Sequence, residues 1–328
     1  MTKLLILNEH EVEQLLTMRE CIEVMEEALS ALARGEVHQP LRTMTRPEGA
    51  AGLLGLMPAY RRGDTPLFGL KEVCVFPGNP ARGLDTHLGA VLLHSGETGE
   101  LLAVMNASTI TAIRTAAVSA VATRLLARED AQTMAIIGAG VQAETHLRAL
   151  PLVRTFREVR ICSRTPAKAD RLARSFESSG IRFVVTDSIE AAIRDADVVT
   201  TVTSSRDPVV RREWIAPGTH INAVGSSIAA ARELDSATMA SGLLFVDRRE
   251  STLNESGDFL MALREGAIGE DAIRAEIGEI LTGQARGRRS PDDITIFKSL
   301  GLAIEDLAAA SFLYEKAQAA GRGAWIDF

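Results

Sequence analysis

The sequence predicts an α/β protein of two domains, a mixed α+β domain followed by a doubly wound parallel sheet. Three observations carry that prediction. From Thr133 onward, apolar runs that read as buried strands alternate with helical segments: Thr133 to Ile137, Glu158 to Cys162, Ile181 to Val185, Asp197 to Val202, His220 to Val224 and Leu243 to Val246. Strands separated by helices form a parallel, right-handed sheet. Upstream, Leu88 to His94 and Glu100 to Met105 flank the loop Ser95-Gly96-Glu97-Thr98-Gly99, a hairpin that a purely parallel unit lacks. Finally, 328 residues at 46% hydrophobic content suffice for two cores.

In chain order, Lys3 to Leu7 reads as a strand, and Asn8 caps a helix from about Glu9. Thr17-Met18-Arg19-Glu20 is a capping box for a helix with Ile22, Met25, Leu29 and Leu32 on one face, ending near Gly35. Val37 to Asp64, rich in proline and glycine, is expected to be irregular. Phe68 to Phe76 is a strand on which Lys71 shares a face with Gly69, Val73 and Val75. Thr111 to Ala127 is an alanine-rich helix, Val141 to about Val153 another, and Leu302 to Ala320 a final helix with a broad apolar face. Gly257 to Asp293 is expected to hold two short helices, and Arg286, Arg288 and Arg289 a solvated loop.

The stretch Gln132 to Thr145 has the order strand, glycine turn, helix that a nucleotide pyrophosphate requires. In Gly138-Ala139-Gly140-Val141-Gln142-Ala143, Gly138 permits the tight turn, Gly140 lets backbone approach the phosphates, and Ala143 lets the helix pack on the strand. The helix N-terminus then offers N–H groups to the anion. This is the fingerprint of a Rossmann dinucleotide-binding sheet. Where an NAD-binding sheet carries an acid at the end of its second strand, this chain has Ser163-Arg164-Thr165. A guanidinium between two hydroxyls suits the 2′-phosphate of NADP, and charge-assisted bonds of about 1.5–3 kcal/mol give a preference of roughly tenfold or more. NADP(H) is therefore the preferred cofactor, with NAD(H) possible. Thr115, Ser204 and Val224 are further candidate cofactor contacts.

A net charge of -7 and the lack of basic runs interleaved with aromatics exclude a nucleic-acid surface. Cys21, Cys74 and Cys162 show no Cys-x-x-Cys spacing and read as small apolar residues of a reducing compartment. No apolar run suits a signal peptide or a membrane span, so a soluble cytoplasmic protein is expected. His10, His38, His87, His94, His146 and His220 lack metal-ligand spacing. His87 reads either as a general acid or as a hydrogen-bonded structural histidine.

Six segments carry a family resemblance: Leu56-Met57-Pro58, Leu70-Lys71, Thr111-Ala112-Ile113-Arg114-Thr115-Ala116-Ala117, Gly138-Ala139-Gly140-Val141-Gln142, Ile221-Asn222-Ala223-Val224-Gly225 and Phe297-Lys298-Ser299-Leu300-Gly301. Along nearly its whole length the chain resembles the ornithine cyclodeaminase and mu-crystallin family. The resemblance implies a substrate-binding and dimerisation domain at 1–115, a dinucleotide-binding domain at 116–299, and a C-terminal helix at 300–328 returning to the first domain. It also implies that Arg42, Lys71 and Arg114 hold a substrate carboxylate, with Lys71 also catalytic. By residue type alone, Lys71 reads more readily as an edge-strand lysine with its head in water, and Arg114 as a helix-surface arginine.

The departures matter as much. Ornithine cyclodeaminases carry a Glu before Leu-Met-Pro and an Asp two residues after the glycine of Asn-Ala-Val-Gly; this chain has Gly55 and Ser227. With Arg164, they point to the reductase branch: an NAD(P)H-dependent reductase of a carboxylate-bearing, often cyclic imine, or the related amino acid dehydrogenase. The rivals are an ammonia-releasing cyclodeaminase and a non-catalytic, crystallin-like binding protein.

Overall fold

The computed structural model describes residues 3–328. The chain divides into two compact units, Met1–Arg114 with Leu302–Phe328, and Thr115–Gly301. The first unit opens with β1 (Lys3–Leu7), α1 (Glu9–Leu15) and α2 (Met18–Ala33). Both helices begin in capping boxes, Asn8 with Glu11 and Thr17 with Glu20. β2 (Val37–His38), β3 (Thr43–Thr45), β4 (Leu53–Arg61), β5 (Leu67–Val75), β6 (His87–Ser95) and β7 (Leu101–Asn106) follow. β4 corrects the expectation of irregular chain between Val37 and Asp64. β2 pairs with Tyr60 and Arg61, and β3 with Leu54 to Leu56, so Pro58 falls in the gap where β4 has no outer neighbour. A proline, lacking an N–H, is tolerated at such an open edge.

α3 (Ala107–Leu126) starts four residues earlier than Thr111. Asn106 is the reason: its Oδ1 accepts the N–H and the hydroxyl of Thr109, satisfying donors that a helix start leaves open. The boundary between the units falls inside α3, after Arg114.

The second unit continues with β8 (Thr133–Ile137), α4 (Val141–Ala149), β9 (Glu158–Cys162), α5 (Pro166–Ser175), β10 (Arg182–Thr186), α6 (Ile189–Ile193), β11 (Val198–Thr201) and β12 (His220–Ala223). Then come α7 (Ser236–Ser241), β13 (Leu243–Val246), α8 (Arg249–Glu255), α9 (Gly257–Arg264), β14 (Ile273–Glu276), α10 (Ile277–Leu281) and β15 (Thr295–Lys298). The sheet order is β10-β9-β8-β11-β12-β15-β13-β14, with parallel pairing throughout. This is a doubly wound parallel sheet, and its strand order reverses between β8 and β11, the point at which such sheets bind ligands. Gly257 to Asp293 holds the two expected helices and also β14, whose four residues are too few to show a period. Arg288 is not a solvated loop residue. Half-buried, it donates to the carbonyl oxygens of Leu126 (2.7 Å), Gly218 (3.0 Å) and Asp293 (2.5 Å) and so ties the segment down.

The chain then returns to the first unit as α11 (Ala303–Ala320) and β16 (Ala324–Asp327). That unit's sheet runs β16-β1-β7-β6-β5-β4-β2, with β3 on β4. One face carries Met57, Val91, Leu93, Ala103 and Met105, all buried, and packs against α11. The period of two sends Leu54, Leu56, Tyr60, Phe68, Leu70, Leu92 and Val104 to the opposite face, where all are half-buried or exposed.

Candidate active site

In the second unit, the fingerprint residues lie where β8 leads into α4. Gly138 has φ +123 and its N–H donates to Cys162 O at 2.8 Å; a Cβ there would meet Val202 O at 2.9 Å. Glycine is needed both for that backbone region and for the close approach of the chain after β11. Gly140 caps α4 without a side-chain bond, and a Cβ on it would meet nothing within 4 Å. No side chain caps the first turn of α4, and there is room beside Gly140 for a ligand to approach. Ala143 is fully buried while Val141 is 62% exposed, and the Oε1 of Gln142 is buried without a partner. A turn of this form, with uncapped donors and room beside them, fits a dinucleotide pyrophosphate.

Ser163, Arg164 and Thr165 follow β9 directly. Arg164 and Thr165 are exposed, and the Thr165 N–H donates to Ser163 Oγ at 3.3 Å. Ser204 is exposed just past β11, and Val224 half-buried just past β12. In a parallel sheet these strand ends share one edge, so the structure brings the glycine turn, the Ser163-Arg164-Thr165 turn, Ser204 and Val224 to the same edge. Thr115 is buried in α3, next in sequence to Arg114.

In the first unit, Lys71 and Arg114 are neither solvated nor separate. Lys71 lies mid-strand in β5, between Met57 and Val91, on the face that α11 covers. A Cβ on Gly69 would meet Leu307 Cβ at 2.9 Å, so glycine lets α11 lie directly on the strand beside Lys71. The Ile304 N–H at the start of α11 donates to Gln39 Oε1 at 2.9 Å and sets that end of the helix. The same first turn delivers two acids. Lys71 Nζ is 2.6 Å from Asp306 Oδ2, Arg114 Nε donates to Asp306 Oδ1 at 3.1 Å, and Arg114 Nη1 to Glu305 Oε2 at 2.6 Å.

The electrostatics follow from burial. Desolvation lowers the Lys71 pKa from 10.5 to about 8; Asp306 opposes that shift, while Arg114 and Arg42 add to it. Arg42 is therefore close enough to act on Lys71, and the structure gathers all three predicted cations in one unit. Burial alone would raise the Asp306 pKa, but Arg114 and Lys71 outweigh it and hold it below the ordinary carboxylate range. His87 lies at the start of β6, exposed at its rim; desolvation and then Lys71 push its pKa down, so it is mainly neutral near pH 7 and a weak proton donor there. At Gly55 and Ser227 no carboxylate enters either unit.

Sequence reasoning missed Glu305 and Asp306. The signal was present: two adjacent acids inside a helix otherwise apolar from Ala303 to Ala310 need buried cations as partners. No group of three or more His, Cys, Asp or Glu side chains among the described residues is placed to hold a metal ion. Among the described residues, no helix is long and apolar enough to cross a membrane.

Comparison with known proteins bears on both units. The mouse (Mus musculus) ketimine reductase mu-crystallin is 40% identical over 294 residues, 89% of this chain and 90% of its own. The structure of Thermococcus litoralis Δ1-pyrroline-2-carboxylate reductase in complex with NADH and L-proline superposes with a TM-score of 0.94 at 41% identity, covering 98% of this chain and 99% of that one. An archaeal alanine dehydrogenase dimer with bound NAD gives a TM-score of 0.94 at 38% identity over all of both chains. The model of the ornithine cyclodeaminase/mu-crystallin family matches residues 2–321, and the chain belongs to that family.

Proposed function

We propose that this protein is an NAD(P)H-dependent reductase of a carboxylate-bearing imine, cyclic or formed from a 2-oxo acid and an amine. The observation that carries the proposal is the buried Lys71, Arg114, Glu305 and Asp306 cluster, with Arg42 near enough to help depress the Lys71 pKa, in a chain whose other unit holds a dinucleotide turn. Residues 1–115 with 300–328 take the substrate, and 116–299 the cofactor.

The bound nicotinamide supplies the hydride that reduces the C=N bond. Gly138, Gly140, Val141 and Gln142 hold the pyrophosphate, with Thr115, Ser204 and Val224 at the rest of the dinucleotide. Arg42 and Arg114 hold the substrate carboxylate. Glu305 and Asp306 fix the Arg114 guanidinium, so its fork is oriented before substrate arrives. Lys71, with a pKa of about 8, is mainly protonated at pH 7. It can hydrogen-bond a carboxylate oxygen and has a proton at Nζ to give to the substrate nitrogen. The two solved relatives hold NADH and NAD. For this chain, NADP is favoured by Arg164 standing between two hydroxyl residues where an acid would otherwise repel the phosphate.

The apolar outer face of the first unit's sheet, with Phe68 48% exposed, is the surface we assign to a second copy of the chain, giving a homodimer. Three free cysteines suit a reducing, cytoplasmic setting.

The test is NADPH oxidation with a panel of cyclic imino acids and of 2-oxo acids plus amines, with ornithine and ammonia release as a parallel arm. Oxidation of NADPH by an imino acid is expected, and Lys71→Ala should cut turnover far more than NADPH affinity. Ammonia from ornithine without net NADPH consumption would show instead that Gly55 and Ser227 do not preclude the cyclodeaminase reaction.

A further inference from the structure

The proposed chemistry leaves unused the Phe297-Lys298-Ser299-Leu300-Gly301 motif and part of Asn222-Ala223-Val224-Gly225. In the second unit, both converge on one buried carboxylate. Glu233 Oε1 accepts the N–H and the hydroxyl of Thr203, each at 2.7 Å; Oε2 accepts the Thr201 hydroxyl and the Gly225 N–H, also each at 2.7 Å. Thr201 ends β11 and Thr203 follows it, while Gly225 lies just past β12. One fully buried side chain thus ties together the segments leaving two adjacent strands. They lie so close that a Cβ on Gly225 would collide with the Thr203 backbone and the Glu233 carboxylate.

Glu233 is braced in turn. Asp258 Oδ1 accepts the N–H groups of Glu233 (2.7 Å) and Leu234 (2.8 Å), and its Oδ2 lies 3.0 Å from Lys298 Nζ. Lys298 donates to Ala223 O (3.1 Å) and Ser226 O (2.5 Å), which returns the brace to the chain beyond β12. All three charged side chains are fully buried. Apolar residues would fill this space without the desolvation cost, but they would impose no hydrogen-bond direction on the two loops.

We infer that Glu233, braced by Asp258 and Lys298, positions the loops after β11 and β12 to receive the nicotinamide half of the dinucleotide. This rests on the reading of the protein as nicotinamide-dependent. The two halves of a doubly wound sheet take the two mononucleotides on either side of the point where strand order reverses. Here β8, β9 and β10 lie on one side and β11 and β12 on the other. Ser204 and Val224 stand in the tied loops, and Val202, between Thr201 and Thr203, is the residue whose carbonyl crowds Gly138. The adenosine side at Ser163-Arg164-Thr165 follows β9, across the point of reversal, and none of the hydrogen bonds of Glu233 reaches it.

The test compares full cofactor with its adenosine fragment. Glu233→Gln keeps the shape but turns an NH2 group against a backbone N–H; Thr203→Val removes one hydroxyl, and Thr203→Ser keeps it. Binding of NADPH and NADH is read by nicotinamide fluorescence, binding of 2′,5′-ADP and 5′-AMP by calorimetry, and the melting temperature alongside. For Glu233→Gln, dinucleotide binding should weaken about tenfold or more. Thr203→Val should show a smaller loss in the same direction, Thr203→Ser should behave as wild type, and fragment affinity should hold within about twofold in every variant. Equal weakening of dinucleotide and fragment, or a lowered melting temperature with unchanged dinucleotide affinity, would overturn the inference and make Glu233 a general stabiliser. If Glu233→Gln does not fold, the Thr203 pair decides alone. A wild-type protein that binds neither dinucleotide would overturn the nicotinamide-dependent reading itself.

Discussion

Lys71 Nζ lies 2.6 Å from Asp306 Oδ2, and neither side chain is more than 4% exposed. The ammonium is nevertheless held at a pKa of about 8, against 10.5 for the free side chain, because its desolvation exceeds the attraction of its partner. Between those values the unfolded chain carries a proton that the folded chain does not. Folding stability contributed by this group therefore rises with pH across that window and is flat below it. Relative to Lys71→Met, the wild-type unfolding free energy should gain up to about 3 kcal/mol between pH 8 and 10.5. Urea denaturation at a series of pH values measures this, and identical slopes in the two proteins would show that Lys71 titrates normally.

Asp306→Asn removes the counter-ion of Lys71 and one support of Arg114. Breaking a buried pair from one side costs about 3–5 kcal/mol, so the melting temperature should fall. With the attraction of Asp306 gone, Lys71 should titrate below about 8, and any basic limb it gives to kcat/KM should move to lower pH. A lower melting temperature with an unmoved limb would separate Asp306 from the chemistry.

Arg164→Asp should reverse cofactor preference. It removes the cation and places a carboxylate where the 2′-phosphate would lie, and the ratio of kcat/KM for NADPH over NADH should drop by about tenfold or more. An unchanged ratio would mean that the turn after β9 does not read the phosphate.

Leu92→Arg places a charge at the centre of the outer sheet face, on the side of the sheet opposite Lys71. If that face closes against a second copy, the variant should elute as a monomer in size-exclusion chromatography coupled to light scattering, with an intact circular dichroism spectrum. An unchanged mass would assign the dimer contact elsewhere.

What the sequence made legible followed from periodicity and capping. The strands from β8 to β13, the Asn8 cap, the Thr17 to Glu20 capping box and the glycine turn were all readable because each is set by residues close in sequence. β4 was not, since Pro58, Gly52 and Gly55 argue against a strand until one knows that Pro58 falls in the gap between β2 and β3. At the site, the three cations could be named from a motif, but their meaning changed with long-range packing. Lys71 and Arg114 meet Asp306 only because Gly69 admits α11 nearly 240 residues later in the chain, a contact that no local pattern encodes.

The closing helix and strand of the first unit have a consequence for biosynthesis. β16 lies antiparallel to β1, with Asp327 opposite Lys3, so an early strand of the sheet is paired by residues that lie beyond the whole second unit in the chain. Thr115–Gly301 is contiguous and can fold as it leaves the ribosome, whereas the first unit must wait for α11 to cover Lys71 and Arg114. Until then its sheet has an open edge and a half-built core holding two cations without Glu305 and Asp306. Nascent chains stalled before residue 302 should therefore show a protease-resistant second unit and a protease-sensitive first unit, with dependence on chaperones concentrated in the latter.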